Sequence, residues 1–404
     1  MLVRSTGSEA LSSAEQNSQC PGADGTTATL SCSDTAVATI EPAVLRRNLQ
    51  VLRARCPRSR VMAMVKGNGY GHGLIVAARA FDSADGLAVA RLAEARVLRN
   101  AQVRLPMLLL GTLLEPSELE WCARNEVAVV VHDRRSLEIC LSVAGRQALR
   151  VWLKLDSGMH RLGLAPQEFL QADRSLRACP GIAEIVHMTH FAAADDPDPT
   201  SLNAQAECFE QCRRAAGPAL ASLANSAALL RRPSLHADWV RPGILLYGSN
   251  PFPRCGIEVR PAMTLSSRVI ALRRIRAGES VGYGGSWTAR RPSAIATLGI
   301  GYGDGYPRHA ACGTPVLING ARVPLVGRVS MDSISVDVTD AAAVQVGDEA
   351  ILWGPQLPPT EIAHRAGTIS YELLASLPGR LARIHQPASV LPHAPGHRAT
   401  LAPS

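Results

Sequence analysis

Lys66 follows five apolar residues, 61–65, and precedes seven residues that include four glycines, Gly67-Asn68-Gly69-Tyr70-Gly71-His72-Gly73. A short apolar run bounded by glycine is the mark of a buried strand. An amine at the end of such a strand stands at the mouth of a sheet or barrel. There, partial desolvation lowers its pKa and makes it a nucleophile for carbonyls. A lone lysine after a strand is more often a surface residue, so the weight comes from context. The 42 basic residues include only two lysines, Lys66 and Lys154. A lysine kept in an arginine-rich background points to chemistry that needs an amine.

The elements that must position these groups recur along the chain. Apolar runs at 61–65, 86–90, 107–110, 128–131, 151–155, 185–190, 221–225 and 244–247 read as eight strands. Helical segments fill the gaps, as at 92–99, 116–124 and 136–143, after an amphipathic helix over 42–56. Strand–helix alternation repeated eight times predicts a (β/α)8 barrel. A doubly wound sheet is the alternative, but no Gly-x-Gly-x-x-Gly opens the first strand–helix turn. In a barrel, chemistry sits at the C-terminal ends of the strands. Those ends carry Lys66, Lys154 with Asp156, His190, Asn225 with Ser226, and the segment from Arg241 to Tyr247. Together these types suit an anionic, carbonyl-bearing ligand.

After about residue 260 the texture becomes β-like, with runs at 262–275, 294–300, 315–318, 322–329, 333–338 and 349–353. Asn319-Gly320 is a hairpin signal between two of them. Three of the six tyrosines, Tyr283, Tyr302 and Tyr306, lie in glycine-rich contexts within 281–306. The chain therefore divides into a disordered N-terminal extension over 1–36, a barrel over 37–259, a mostly antiparallel β domain over 260–386 and a flexible tail over 387–404.

A length of 404 residues suggests two domains, and 47% apolar with 19% charged residues describes a globular protein. The net charge of +8 is spread as single arginines and pairs, without a basic run interleaved with aromatics, so nucleic-acid binding fits poorly. The ten cysteines lack zinc-site spacing and read as reduced residues of a cytoplasmic protein. The N-terminus lacks the apolar core of a secretory signal, and no run approaches a membrane span.

The stretch Val65-Lys66-Gly67-Asn68-Gly69-Tyr70-Gly71-His72-Gly73 resembles the pyridoxal-phosphate attachment motif of the alanine racemase family. The resemblance continues in register from about Thr39 to Ala382. It runs through Lys154-Leu155-Asp156-Ser157-Gly158-Met159-His160-Arg161, Thr189-His190-Phe191-Ala192, Asn225-Ser226-Ala227-Ala228, Arg241-Pro242-Gly243-Ile244 and Val281-Gly282-Tyr283-Gly284. Further matches are Ile300-Gly301-Tyr302-Gly303-Asp304-Gly305, Gly327-Arg328-Val329-Ser330-Met331-Asp332 and Ile369-Ser370-Tyr371-Glu372. The family is a (β/α)8 TIM-type barrel followed by a β domain. It acts as a head-to-tail homodimer in which the partner's β domain completes each site.

The resemblance implies an isomerase that interconverts L-alanine and D-alanine by two-base proton abstraction on the external aldimine of pyridoxal 5'-phosphate. D-alanine would serve as a peptidoglycan precursor. Lys66 would form the Schiff base and act on the D-enantiomer. Tyr283 of the partner subunit would act on the L-enantiomer. Tyr70, Asn225, Ser226, Gly243, Ile244 and Tyr371 match the phosphate end, and His190 would pack against the cofactor ring. Arg241 matches the arginine facing the pyridine nitrogen; a group that does not deprotonate leaves that nitrogen largely unprotonated. Arg161 would contact the cofactor phenolic oxygen and the substrate carboxylate. Met331 would meet that carboxylate through its backbone, and Tyr302 with Tyr371 would narrow the entrance. Lys154 matches a lysine that is often carbamylated, which would turn a cation into an anion beside Arg161. No metal is implied.

The departures are Gly67 and Gly69, where alanine is frequent, and His160, where glycine is frequent. These bear on substrate range, so a racemase of broader or different specificity, such as serine, is the first alternative. A barrel decarboxylase would carry an acid where Arg241 stands. A non-catalytic pyridoxal-phosphate carrier would lack the second domain and Tyr283.

Overall fold

The computed structural model describes residues 19–21, 27–29, 35–111, 115–145, 147–252 and 255–386. Eight parallel strands close into a barrel. In order around the barrel they are Arg60–Met64, Gly86–Val89, Met107–Leu109, Val127–Val131, Leu149–Lys154, Ile182–Met188, Leu220–Ser222 and Trp239–Val240. Their residues are mostly Val, Leu, Ala and Met and are nearly all buried, as expected for strands covered on both faces. Helices Pro42–Arg55, Leu92–Asn100, Pro116–Arg124, Arg134–Ala144, Pro166–Arg177 and Thr200–Ala216 pack outside. Several begin at a proline or an Asp/Glu cap, which suits the first helical turn.

The eighth strand corrects the sequence reading. The apolar run Ile244–Tyr247 is a fully buried 3₁₀ turn, and Trp239–Val240 closes the barrel instead. Pro242 brings no N–H, and Gly243 (φ −119°, ψ −90°) and left-handed Gly248 (φ 81°) bend the chain out of strand geometry at both ends of the run.

The second domain is an eight-stranded sheet. Its order is Ser293–Leu298, Ile334–Asp337, Ala321–Val326, Pro315–Ile318, Glu349–Trp353, Met263–Ile275, Ala36–Ile40 and Ala382–His385. It is antiparallel except where Ala382–His385 runs parallel to Ala36–Ile40. The thirteen-residue strand Met263–Ile275 shifts register twice and also pairs with Ser293–Leu298, curling the sheet back on itself. Asn319 and Gly320, both at positive φ, make the expected two-residue hairpin between Ile318 and Ala321.

Ala36–Ile40 lies in this second sheet although the sequence assigns residues from 37 onward to the barrel. Residues 37–40 alternate in burial, with Ala38 and Ile40 fully buried, which suits a sheet covered on one face. Within the expected N-terminal extension, Gln19–Pro21 pairs antiparallel with Thr27–Thr29, so that part is a small ribbon. The rest of that extension up to residue 34, and the tail over 387–404, lie outside the described residues. No helix among the described residues is long and apolar enough to cross a membrane.

Candidate active site

At the C-terminal mouth of the barrel a cavity of about 630 Å³ collects groups from all eight strand ends and from the second domain. Its floor is apolar, with Met64, Leu110, Val130 and Met188. Its walls carry Lys66, Lys154, Arg161 and Arg241, and Tyr70, His190, Asn225, Ser226, Gly243 and Tyr371 also face it. The size falls in the usual range of small-molecule sites, about 300–1,000 Å³.

Lys66 stands two residues beyond the first barrel strand and opens a turn with an uncommon backbone. Gly67, Asn68, Gly69 and Tyr70 all lie in the left-handed region, with φ between 50° and 64°. Glycine takes this conformation freely and asparagine tolerates it, but tyrosine does not. Tyr70 is therefore held by its surroundings. Its ring is buried and stacks on Tyr247, whose hydroxyl donates to the Met64 carbonyl at 2.9 Å. Gly69 also needs its missing side chain, because a Cβ there would meet the Ala77 Cβ at 2.8 Å. The turn is pinned from outside by Glu94, which accepts from the backbone N–H groups of Gly67, Ala90 and Arg91. Glu94 carries a weak sequence signal, its place as an acid in the first turn of Leu92–Asn100, where a carboxylate can accept from the exposed N–H groups.

The electrostatics are those of an anion site. Burial lowers the Lys66 pKa, and Arg161 and Arg241 lower it further against the opposing pull of Glu94. Burial, then Arg241 and Arg161, bring the Lys154 pKa down to about 8. His190 falls to about 3 through burial and then the neighbouring cations, so its ring is neutral at physiological pH. Arg241 is fully enclosed, and burial lowers its pKa to about 10, so it stays cationic. It donates through Nη1 to the Ser222 hydroxyl at 2.5 Å and through Nη2 to the carbonyls of Thr189 at 2.6 Å and Leu223 at 3.3 Å. His190 Nδ1 lies 3.5 Å from Nη2 and acts as acceptor, which leaves the ring proton on Nε2. None of these partners is a carboxylate. Ser222 was not foreseen, since a barrel-floor serine carries no sequence signal of the arginine it will hold.

At the far end, the Gly243 N–H donates to Ser226 Oγ at 2.9 Å. Asn225 caps the following turn by accepting from Ala228 N–H. A Cβ on Gly243 would lie 2.3 Å from Tyr70 Oη, so only glycine leaves this corner open to both hydroxyls. Ile244 is fully buried in the core, and its side chain does not line the cavity. Tyr371, from the helix Ser370–Ala375, closes the rim 6.1 Å from the Tyr70 ring. Burial, then Asp195, raise its pKa to about 12.

Arg161 is set by the loop after the strand Leu149–Lys154. Asp156 Oδ1 accepts from the N–H groups of Gly158, Met159 and His160, each at 3.0 Å. Burial alone would raise the Asp156 pKa, but these donors and His160 outweigh it and hold the carboxyl low. His160 stands at φ 55°, a left-handed position, and its Nδ1 reaches Asp156 Oδ2 at 3.2 Å.

Three expected site residues are not brought into this cavity within the chain. Tyr283 is 72% exposed, Met331 52% and Tyr302 39%, all on the second domain. Tyr283 projects from a glycine turn, with Gly282 and Gly284 both at positive φ, at the tip of the small ribbon Ser280–Val281 with Trp287–Thr288. Tyr306, by contrast, is fully buried and stacks near Trp353.

A desolvated amine at a barrel mouth, ringed by cations and hydroxyls, defines a barrel enzyme acting through an anionic, carbonyl-bearing group. Comparison with known proteins narrows this further. Residues 40–251 match the alanine racemase N-terminal domain and residues 262–385 the alanine racemase C-terminal domain. The chain is 45% identical over 350 residues to the alanine racemase of Nitrosococcus oceani, covering 86% of this chain and 98% of that one. It is 47% identical over 349 residues to that of Shewanella sp. strain MR-7, covering 85% and 97%. The crystal structure of biosynthetic alanine racemase from Pseudomonas aeruginosa superposes with a TM-score of 0.84 at 41% identity, covering 87% and 99%. The chain belongs to the alanine racemase family. It is an isomerase of alanine, and family membership implies a pyridoxal-phosphate-dependent mechanism.

Proposed function

We propose that the chain interconverts L-alanine and D-alanine with pyridoxal 5'-phosphate held in the Lys66 cavity, using Lys66 and Tyr283 of a second copy as opposed bases. The observation that carries this is the pairing of a desolvated Lys66 amine with three further cations in one cavity. Lys154 and Arg241 are buried, and charges held out of water are costly without an anionic occupant. The donor set fits the cofactor: hydroxyls of Tyr70 and Ser226 at the open corner by Gly243, and a fixed cation, Arg241, opposite.

When bound, the cofactor supplies an aldehyde that takes the substrate amino group and a conjugated ring that draws electron density from Cα. The protein's own groups do the rest. Lys66 is the residue that would hold the aldehyde at rest. Once displaced, its neutral Nζ removes or returns the Cα proton on the face it occupies, that of D-alanine. Its lowered pKa favours the free amine needed for this. Arg161 holds the carboxylate and orients Cα toward Nζ. Arg241, a cation with no carboxylate partner, would leave the ring nitrogen unprotonated, which would confine the chemistry to proton movement. Neutral His190 would pack against the ring, and Asn225, Tyr371 and the backbone of Ile244 would complete the phosphate end.

Tyr283 serves the opposite face, that of L-alanine. Its exposure on the second domain suits delivery to another subunit's cavity, with Met331 and Tyr302 arriving on the same surface. On this reading the functional unit is a head-to-tail homodimer, with residues 42–259 forming the barrel unit and 260–386, together with the strand Ala36–Ile40, the unit that reaches across. Lys154, with its pKa near 8, holds enough neutral amine near pH 7 to take up carbon dioxide as a carbamate. That anion would sit between Arg161 and Arg241. The D-alanine formed would supply peptidoglycan precursors in the cytoplasm. A visible absorbance scan of the purified protein followed by an alanine racemisation assay tests the core of this reading. A bound chromophore lost in Lys66→Ala, together with racemisation, is expected. Racemisation without a chromophore would overturn it.

A further inference from the structure

We propose that Arg380 is a positioning residue for the reaction: it locks together, from behind, the two loops that carry Tyr302 and Met331. This rests on the reading that these loops complete the cavity of another subunit.

The two loops are already joined backbone to backbone. Tyr302 N–H donates to the Ser330 carbonyl at 3.0 Å, and Gly303 N–H donates to the Met331 carbonyl at 2.8 Å. The contact is so close that a Cβ on Gly301 would fall 2.3 Å from the Ser330 carbonyl oxygen. Each loop then sends a carboxylate toward one guanidinium. Arg380 Nε donates to Asp304 Oδ1 at 2.9 Å and Nη2 donates to Asp332 Oδ1 at 2.7 Å. Asp304 uses its other oxygen to accept the Gly301 N–H at 3.0 Å. The guanidinium lies directly over Gly303, where a Cβ would stand 2.4 Å from Nη2. Residue 303 therefore has to be glycine for the arginine to reach both acids.

The base of the clamp is fixed as well. Three residues on, Arg383 donates to the carbonyls of Leu377, Pro378 and Leu381 and to that of Gly71, in the turn after Lys66. Arg380 thus springs from a segment tied to its own subunit's barrel and reaches outward to the loops of the exposed face.

An exposed ion pair contributes little to stability, and Arg380 is half exposed, so its worth lies in geometry. Asp304 is nearly covered, and the two carboxylates come from separate loops, so only a forked cation satisfies both at once. Each carboxylate lies within two residues of a residue assigned to the substrate end, Asp304 of Tyr302 and Asp332 of Met331. Loosening the clamp shifts Met331 and Tyr302 together while leaving Lys66 and the cofactor cavity in place. The loss should therefore appear in KM for alanine.

The test uses the full-length holoenzyme. Arg380→Met is expected to raise KM for alanine about tenfold with kcat changed less than about threefold and the cofactor absorbance unchanged. Arg380→Lys, a point charge that cannot fork, should recover only part of this. Asp332→Asn, which cuts one arm without altering Arg380, should raise KM in the same direction. Heterodimers of Lys66→Ala with Arg380→Met supply the decisive arm. Their one live cavity pairs intact Lys66 with loops from the subunit that keeps Arg380, so its KM should return to the wild-type value. A wild-type KM in both Arg380→Met and Asp332→Asn, or a KM still raised in that heterodimer, overturns the proposal. Heterodimers of Lys66→Ala with Tyr283→Phe report on the underlying reading alone. Restored activity there supports the shared site, and its absence removes the shared site and this proposal with it.

Discussion

Tyr70 and Tyr247 stack with ring centroids 4.7 Å apart and planes 20° apart, and the Tyr247 hydroxyl donates to the Met64 carbonyl. The pair joins the left-handed turn after Lys66 to the 3₁₀ turn after Gly243. It thereby holds Tyr70 in a backbone conformation that tyrosine would otherwise leave. Tyr247→Phe keeps the stack and loses the hydrogen bond. It should lower unfolding stability by about 1 kcal/mol in urea titrations and weaken cofactor affinity only slightly.

Gly243→Ala probes the same corner from the other side. The added Cβ would lie 2.3 Å from Tyr70 Oη, and neither the stacked ring nor the barrel backbone can yield easily. Cofactor affinity, read by absorbance titration of the apoprotein, should fall by about tenfold or more. An unchanged affinity would show that Tyr70 is not fixed where its hydroxyl is needed.

Lys154 gives a signed pH dependence. Its pKa falls from 10.5 to about 8 on folding, with burial the main cause. Between those values the unfolded chain binds more protons than the folded one, so stability rises with pH. The penalty of the buried charge is fully present below about pH 8 and is relieved as pH approaches 10.5. In carbon-dioxide-free buffer, apoprotein carrying Lys154→Met should lose this part of the rise between pH 8 and 10. An identical pH slope in the two proteins would contradict the burial of a charged amine.

His160 sets two small effects against each other. Its left-handed φ of 55° costs about 1–2 kcal/mol in a non-glycine residue, whereas its exposed bond to Asp156 returns well under about 1 kcal/mol. His160→Gly should therefore be at least as stable as the wild type, and more stable than His160→Ala, which keeps the strain and loses the bond. Urea midpoints decide the order.

The barrel was legible because seven of its eight strands are apolar runs long enough to show against their flanks. The eighth, Trp239–Val240, spans only two residues, and the more apolar Ile244–Tyr247 beside it drew the assignment. Ala36–Ile40 was hidden for another reason: its partner Met263–Ile275 lies more than two hundred residues away in sequence, and no local pattern encodes such a pairing. Among site residues, Lys66, Arg241 and Ser226 stood out through their motifs. Glu94 and Ser222 did not, because what they do is hold another residue's backbone or guanidinium in place, and that is a property of the folded arrangement. Tyr283 shows the limit from the opposite side: the motif names it, yet it stands 72% exposed outside its own chain's cavity, and its proposed role needs a second copy of the chain.

In the proposed mechanism two bases, Lys66 and Tyr283, serve opposite faces of the substrate. Tyr283→Phe in deuterated water tests it most directly. The variant should keep its cofactor absorbance, lose racemisation, and still exchange the α-proton of D-alanine while L-alanine is left untouched. Racemisation at the wild-type rate, or α-proton exchange from L-alanine, would contradict it.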